Sequence, residues 1–132
     1  MKTQPRNDNS CFCCGRDNDK GLKLSFYYPE PGRAETEITL PAYFTGWQEM
    51  VHGGLLSMLL DETMAHACVS AGKLAVTVEL ITRFHHKVKV GENLKVRARV
   101  LEQKPRLLYV EGQISNEAGI VVTSGRAKFM VP

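Results

Sequence analysis

Apolar and polar residues alternate along much of this chain, with the period of two that is typical of strands. One such run covers residues 22–28, and a second covers residues 34–40 and ends at Pro41. Four more follow the middle of the chain, and their apolar members are Val76, Val78, Leu80 and Phe84; Leu94, Val96, Ala98 and Val100; Leu108, Val110 and Ile114; and Val121, Ala127, Phe129 and Val131. Turn-forming residues separate these runs, so the pattern predicts a sheet with one buried face.

Residues 53–70 follow a different pattern. Wound as a helix, this segment would have apolar side chains on almost every side and little polar surface. A helix that is apolar almost all round is expected to be buried, and Gly72 is a plausible stop signal. The order β-β-α-β-β-β-β with one long helix predicts an α+β domain. In it, an antiparallel sheet of five to six strands wraps round one central helix. We expect a flexible tail over residues 1–10 and a single domain over residues 11–132.

Length and composition fit this architecture and exclude several functional classes. The chain has 132 residues, 43% of them hydrophobic and 23% charged, which suits one ordinary globular domain. A net charge of +3 is too small to predict nucleic-acid binding. The sequence has no run of about 18 apolar residues of the kind that spans a membrane. The first ten residues are polar and lack the apolar core of a secretory signal. We therefore expect a cytoplasmic protein, with no nucleic-acid or membrane partner.

The candidate chemistry begins where the helix begins, at His52-Gly53-Gly54. The first turn of a helix carries unpaired N–H groups and the positive end of the helix dipole. Two glycines leave this backbone open to a carbonyl oxygen, so that an N–H could polarise the carbonyl and hold a developing oxyanion. His52 itself has two interpretations, as a helix cap or as a group that contacts the substrate.

Asp61 is the second candidate, because a carboxylate two turns inside an apolar helix is costly to bury without a partner. It lies on a stripe of small residues that would admit either a ligand or another helix, namely Gly54, Ser57, Asp61, Ala65 and Cys68. The alternative interpretation makes Asp61 a satisfied polar residue at a subunit contact. The adjacent Glu62 is four residues from His66, so we expect a structural ion pair there.

The spacing of these groups has a consequence for assembly. Gly53 and Asp61 are eight residues apart, or about 12 Å along one helix. One helix cannot bring both groups to the same reacting carbon. If they cooperate, Gly53 must come from one subunit and Asp61 from its two-fold mate, so the function would require a dimer.

The helix motif, from Phe44 through His52-Gly53-Gly54 to Leu60-Asp61-Glu62, resembles the hotdog-fold thioesterase superfamily. The similarity is greatest to its phenylacetate-pathway-like acyl-CoA thioesterase branch. The opening Cys11-Phe-Cys13-Cys14-Gly15 resembles the start of many uncharacterised members. The resemblance implies an enzyme that hydrolyses acyl-CoA thioesters in a cleft between two subunits, without a cofactor, and that is a homodimer at minimum and a homotetramer by expectation.

Carried over by position, the resemblance makes Asp61, Gly53 and His52 the catalytic residues. The Gly53 N–H would polarise the carbonyl, Asp61 of the partner would be the general base or the nucleophile, and His52 would shape the oxyanion side. Two positions depart from the pattern. Gly46 replaces an asparagine that the best-defined branch places six residues before the histidine, and Ala65 replaces a threonine that some relatives place four residues after the acid.

The remaining candidates are predicted to bind substrate. Gln48 is the nearest amide, with a role in binding substrate or as an ordinary surface residue of the loop, and Thr63 and Ser57 are the only nearby hydroxyls. Gly54 shares the bare helix entrance. In the resembled family, the end of the strand after the helix lies near the phosphates of coenzyme A. There this chain carries Arg83, His85, His86 and Lys87. Cations suit phosphate, although a solvated strand end is an equally ordinary interpretation.

The cysteines Cys11, Cys13, Cys14 and Cys68 are expected to be reduced in the cytosol. Cys11 and Cys14 make one C-x2-C pair, but a structural zinc site normally takes four ligands and no second pair exists. The sequence therefore predicts a packed, reduced turn with no metal. Two other functions compete with hydrolysis. They are a non-catalytic module that binds acyl-CoA or another small ligand, and a hotdog dehydratase or hydratase, whose motifs this helix entrance does not match.

Overall fold

A computed structural model describes residues 9–132, and the predicted tail therefore lies almost wholly outside the described residues. The elements are β1 (Arg33–Thr39), a short 3-10 helix (Ala42–Phe44), α1 (Gly53–Ser70), β2 (Val76–Phe84), β3 (Asn93–Gln103), β4 (Leu107–Ser115) and β5 (Val121–Met130). The five strands form one antiparallel sheet in the order β1-β3-β4-β5-β2. The predicted helix and antiparallel sheet are both confirmed.

The core lies between α1 and one face of the sheet. From the helix it takes Leu56, Leu59, Leu60, Met64, Ala67 and Cys68, all buried. From the sheet it takes the alternating apolar residues that the sequence pattern indicated, including Leu94, Val96, Leu108, Val110, Ile114 and Phe129. The helix ends as predicted, since Gly72 has a φ of +84°, which is the left-handed conformation that glycine adopts without strain.

Two glycines set how closely the helix approaches the sheet. Gly112 of β4 and Gly125 of β5 face each other in register, beneath Leu60 and Met64. A Cβ on Gly112 would lie 3.1 Å from Leu60 Cδ2, and a Cβ on Gly125 would lie 3.2 Å from Leu60 Cδ1. Both contacts are tighter than ordinary packing. The glycine pair therefore forms the hollow into which the middle of α1 fits.

The predicted strand over residues 22–28 is wrong. This segment makes an isolated bridge between Tyr27 and Glu35, and Lys23 has a φ of +52°, which interrupts an extended run. Its backbone bonds instead to the preceding turn, with Leu24 N–H donating to the Cys13 carbonyl at 2.8 Å. The alternation was a real burial signal, since Leu24 is buried and Phe26 packs against the core, but it arises from a segment lying along α1.

The predicted face of β2 is also partly wrong. A β-bulge falls between Thr77 and Glu79, and it moves Val78 out of the alternation. Val78 is 50% exposed, whereas Leu80 remains half-buried and packs against the core. Beyond the bulge the even-numbered positions face the helix, and before it Thr77 does so, paired with the buried Phe129. This change of face brings a hydroxyl to the helix.

The glycine hollow is tested by Gly112→Ala. Because the added methyl meets Leu60 and a strand carbonyl without free space, we expect the free energy of unfolding in urea to fall by about 1–3 kcal/mol. Gln113→Ala, exposed on the next position of β4, is the control and should change stability by less than about 0.5 kcal/mol. Combining Gly112→Ala with Leu60→Val should recover part of the loss, and strictly additive losses would contradict the contact.

Candidate active site

The entrance of α1 leaves one backbone donor available. His52 is the N-cap, and its Nδ1 accepts a hydrogen bond from the Gly54 N–H at 3.0 Å. Leu55 N–H donates to the His52 carbonyl at 3.0 Å. Within residues 9–132, no hydrogen bond is made by the Gly53 N–H. His52 thus satisfies the N–H of the second helical residue, and the N–H of the first, Gly53, stays available as a donor.

A tight loop holds this entrance in place. His52 N–H donates to the Phe44 carbonyl at 3.1 Å, and Gly46 N–H donates to the Met50 carbonyl at 2.8 Å. A Cβ on Gly46 would lie 3.0 Å from His52 Cα, so the loop backbone packs directly on the histidine. This contact explains why Gly46 occupies the position where the resembled branch carries asparagine, since a side chain there would push the loop away from His52.

A cavity of about 700 Å³ opens beside the Gly53 N–H. Its walls come from the loop, the first turns of α1 and the segment that follows β2. The lining residues are Thr45, Gly46, Trp47, Met50, Val51, His52, Gly53, Leu56, Phe84, His85, His86, Lys87 and Val88. Apolar side chains, including Trp47 and Phe84, line one part of the cavity, and the basic residues 85–87 line another.

The structure therefore brings together five of the predicted site residues, namely His52, Gly53, His85, His86 and Lys87. The other five do not line this cavity. The Gly54 N–H is already bonded to the His52 ring, Gln48 is exposed in the loop, and Arg83 lines a separate hollow on the outer face of the sheet. Ser57 and Asp61 lie farther along α1.

Asp61 is half-buried and faces β2. The Thr77 hydroxyl donates to Asp61 Oδ1 at 2.5 Å, and one turn earlier the Ser57 hydroxyl contacts Thr82 Oγ1 at 3.2 Å. Sequence reasoning missed Thr77, because it searched for a hydroxyl within the helix, where Thr63 instead bonds back to the Leu59 carbonyl. The partner is 16 residues away and is brought there by the bulge in β2.

β2 is an edge strand, and its outer side is open. The opposite edge of the sheet, β1, is partly covered because Tyr27 exchanges two backbone hydrogen bonds with Glu35, each at 2.8 Å. No comparable segment pairs with the outer side of β2 anywhere in the described chain. Val78, Ile81 and Phe84 on this strand are 50–54% exposed. An apolar, unpaired edge of this kind is suited to pairing with another strand.

About 100° around the helix from Asp61, Glu62 makes the predicted pair with His66, at 3.4 Å. Burial alone would raise the Glu62 pKa, but hydrogen bonds from His66 and Cys14 outweigh it and hold the pKa below its usual range. Burial, followed by the charge of Glu62, raises the pKa of the Cys13 thiol to about 12. Cys14, whose pKa burial and the hydrogen bond to Glu62 also raise, completes this group.

Cys11, Cys14 and Glu62 place three potential ligand atoms within 4.8 Å of one another. In the part of the chain that the structure describes, this is the one cluster with the geometry to hold a metal ion. Over the same residues, no helix is both long enough and apolar enough to cross a membrane.

Comparison with known proteins identifies the family. The family model of the thioesterase superfamily matches residues 48–123, which include the helix entrance, Asp61 and residues 85–87. The chain belongs to the thioesterase superfamily. It is a thioester hydrolase with a hotdog fold, similar to the branch that contains the PaaI protein.

Individual relatives agree with this placement. Human acyl-coenzyme A thioesterase 13 is 29% identical over 107 residues, which cover 79% of this chain and 76% of the relative. The E. coli PaaI protein, from the phenylacetic acid degradation operon, superposes with a TM-score of 0.79 at 26% identity, over 84% of this chain and 80% of PaaI. A Streptococcus mutans protein bound to acetyl CoA shares the fold, with a TM-score of 0.78, 18% identity and 83% and 88% coverage.

The capping role of His52 is tested by comparing two substitutions. Because His52→Ala removes the acceptor for the Gly54 N–H, it should lower the free energy of unfolding by about 1 kcal/mol. His52→Asn offers a side-chain oxygen in the same place and should retain most of that stability in urea titrations. Equal losses in the two variants would show that the ring stabilises the entrance by packing on Gly46 instead.

Proposed function

We propose that this protein hydrolyses acyl-CoA thioesters, using the Gly53 N–H of one subunit and Asp61 of its partner. The observation that carries this proposal is the Gly53 N–H, which is unpaired within the described chain and lies beside the cavity at the positive end of α1. A donor in this position is suited to a carbonyl oxygen whose negative charge grows during the reaction.

The cavity suits the two ends of such a substrate. Trp47, Met50, Leu56 and Phe84 offer an apolar surface for an acyl chain, next to the helix entrance. His85, His86 and Lys87 border the same cavity and can pair with the phosphates of coenzyme A. The thioester carbonyl would then lie at Gly53, between the two ends.

In the reaction, Asp61 takes a proton from water while the water oxygen attacks the thioester carbonyl carbon. The carbonyl oxygen becomes an oxyanion held by the Gly53 N–H. The oxyanion then collapses and the carbon–sulfur bond breaks, while protonated Asp61 returns its proton to the departing sulfur, so that the carboxylic acid and the CoA thiol are released. In the alternative route Asp61 attacks the carbon itself, the carbon–sulfur bond breaks to expel the CoA thiolate, and water opens the resulting anhydride. Turnover in ¹⁸O-labelled water distinguishes the two, because only the anhydride route can place the label on Asp61.

The positions of the two groups favour a dimer. Asp61 lies about 12 Å from Gly53 along α1 and faces β2, outside the cavity that Gly53 lines. If β2 pairs with its symmetry mate, the helices of the two subunits come side by side across the joined sheet. A two-fold contact of this kind presents each Asp61 to the partner's helix entrance. A tetramer would join two such dimers.

The donor is tested by Gly53→Pro. Proline is favoured at the first position of a helix, and His52, with φ −60° and ψ 130°, already has the conformation required before proline. The variant should fold, yet it lacks the N–H, so kcat should fall by about 10²- to 10³-fold in an assay of free CoA thiol. Gly53→Ala is the control, because it adds the Cβ against Phe84 at an ordinary 3.4 Å and keeps the N–H.

Asp61→Ala should lower kcat by about 10²- to 10⁴-fold, and it also tests the shared site. In a mixed dimer of Asp61→Ala and Gly53→Pro chains, one site has both groups intact. Unfolding and refolding the two inactive variants together should therefore recover about a quarter of wild-type activity. No recovery, with mixed dimers present, would contradict the two-subunit site. Tight acyl-CoA binding by the wild type without turnover would favour the binding-module alternative.

A further inference from the structure

We propose that Cys11, Cys14 and Glu62 bind a zinc ion, which fastens the N-terminal segment to the outer side of α1. The sequence alone predicted a packed turn of reduced thiols, because a single C-x2-C pair lacks enough ligands. The fold supplies a third protein ligand, Glu62, which is 51 residues after Cys11 in sequence.

The distances between the three groups suit zinc. Cys11 Sγ lies 3.6 Å from Glu62 Oε1. A tetrahedral zinc with ordinary zinc–sulfur and zinc–oxygen bonds separates these two atoms by about 3.6 Å. The Cys14 thiol contacts both Cys11 and Glu62, and all three ligand atoms lie within 4.8 Å. A set of two thiolates and a carboxylate favours zinc over magnesium or calcium, which take oxygen ligands alone.

The turn that carries the cysteines is built to hold the thiols side by side. Cys13 N–H donates to Cys11 Sγ at 3.3 Å, and Gly15 N–H closes the turn on the Cys11 carbonyl at 2.9 Å. A Cβ on Gly15 would lie 2.4 Å from the Cys11 nitrogen, so only glycine fits directly after Cys14.

Glu62 is itself oriented by a chain of contacts. His66 Nε2 lies 3.4 Å from Glu62 Oε1, and His66 Nδ1 bonds to the Tyr28 hydroxyl at 2.7 Å. The imidazole stacks on Phe26, with ring centroids 3.7 Å apart and planes at 8°. A ligand that is held by such outer partners keeps its geometry for the metal. Three protein ligands leave the fourth tetrahedral position to water.

The experiment measures metal content in protein that is purified under reducing conditions without chelator. Wild type should carry about one zinc per chain, and the metal-free protein should regain Tm on zinc addition. Cys14→Ser and Glu62→Gln should lose the zinc. Cys68→Ala is the matched control. Cys68 is buried on α1, the helix that carries Glu62, but is not part of the cluster, so this variant should keep the metal. His66→Gln should weaken zinc binding by about 10- to 100-fold.

Substitution of cobalt gives a second readout, because a thiolate-to-cobalt charge-transfer band should appear in wild type and in Cys68→Ala only. The proposal is overturned if reduced wild-type protein neither contains zinc nor gains Tm when zinc is titrated into it. It is also overturned if mass analysis finds Cys11 and Cys14 joined as a disulfide, or if Glu62→Gln and Cys14→Ser retain the full zinc content. The wild-type titration decides the matter even if a variant fails to fold.

Discussion

The close approach of α1 to the sheet at Gly112 and Gly125 is the contact on which the rest of the molecule depends. Leu60 and Met64 reach into a hollow that exists because neither strand carries a Cβ there. Since a well-packed core tolerates little extra volume, this hollow sets both the height and the rotation of the helix. Leu60 precedes Asp61 and Glu62, and successive helical residues are about 100° apart, so seating Leu60 on the sheet fixes the two different directions in which these carboxylates point.

Each part of the helix surface consequently serves a different neighbour. The first turn borders the cavity, Asp61 meets Thr77 of the open edge strand, and Glu62 meets Cys11 and Cys14 of the N-terminal segment. A carboxylate in such a helix would be costly to bury alone, and each of the two has found a partner. The two acidic residues are therefore compatible with an otherwise apolar α1, because neighbouring segments supply their hydrogen-bond partners.

The local features were predictable because they depend on neighbours in sequence. The bounds of α1, the glycine that ends it and the pairing of Glu62 with His66 all follow from helical spacing. The strand predicted over residues 22–28 failed for the same reason, since alternating burial is local while hydrogen bonding to a strand is not. Of the predicted site residues, His52 and Gly53 line one cavity together with residues 85–87, whereas Arg83 and Gln48 lie away from it.

By itself, then, the sequence determined the order of elements, the face of most strands and a helix entrance with a donor and a distant acid. Tertiary structure alone decided which groups meet across long intervals of chain, such as Thr77 with Asp61 and Cys11 with Glu62. The physical reason is that periodicity reports which side of an element is buried, but not what covers it. The one-residue bulge in β2 changes which side chains face the helix, and the glycine pair sets how deeply the helix sits on the sheet. Each of these changes which residues come into contact.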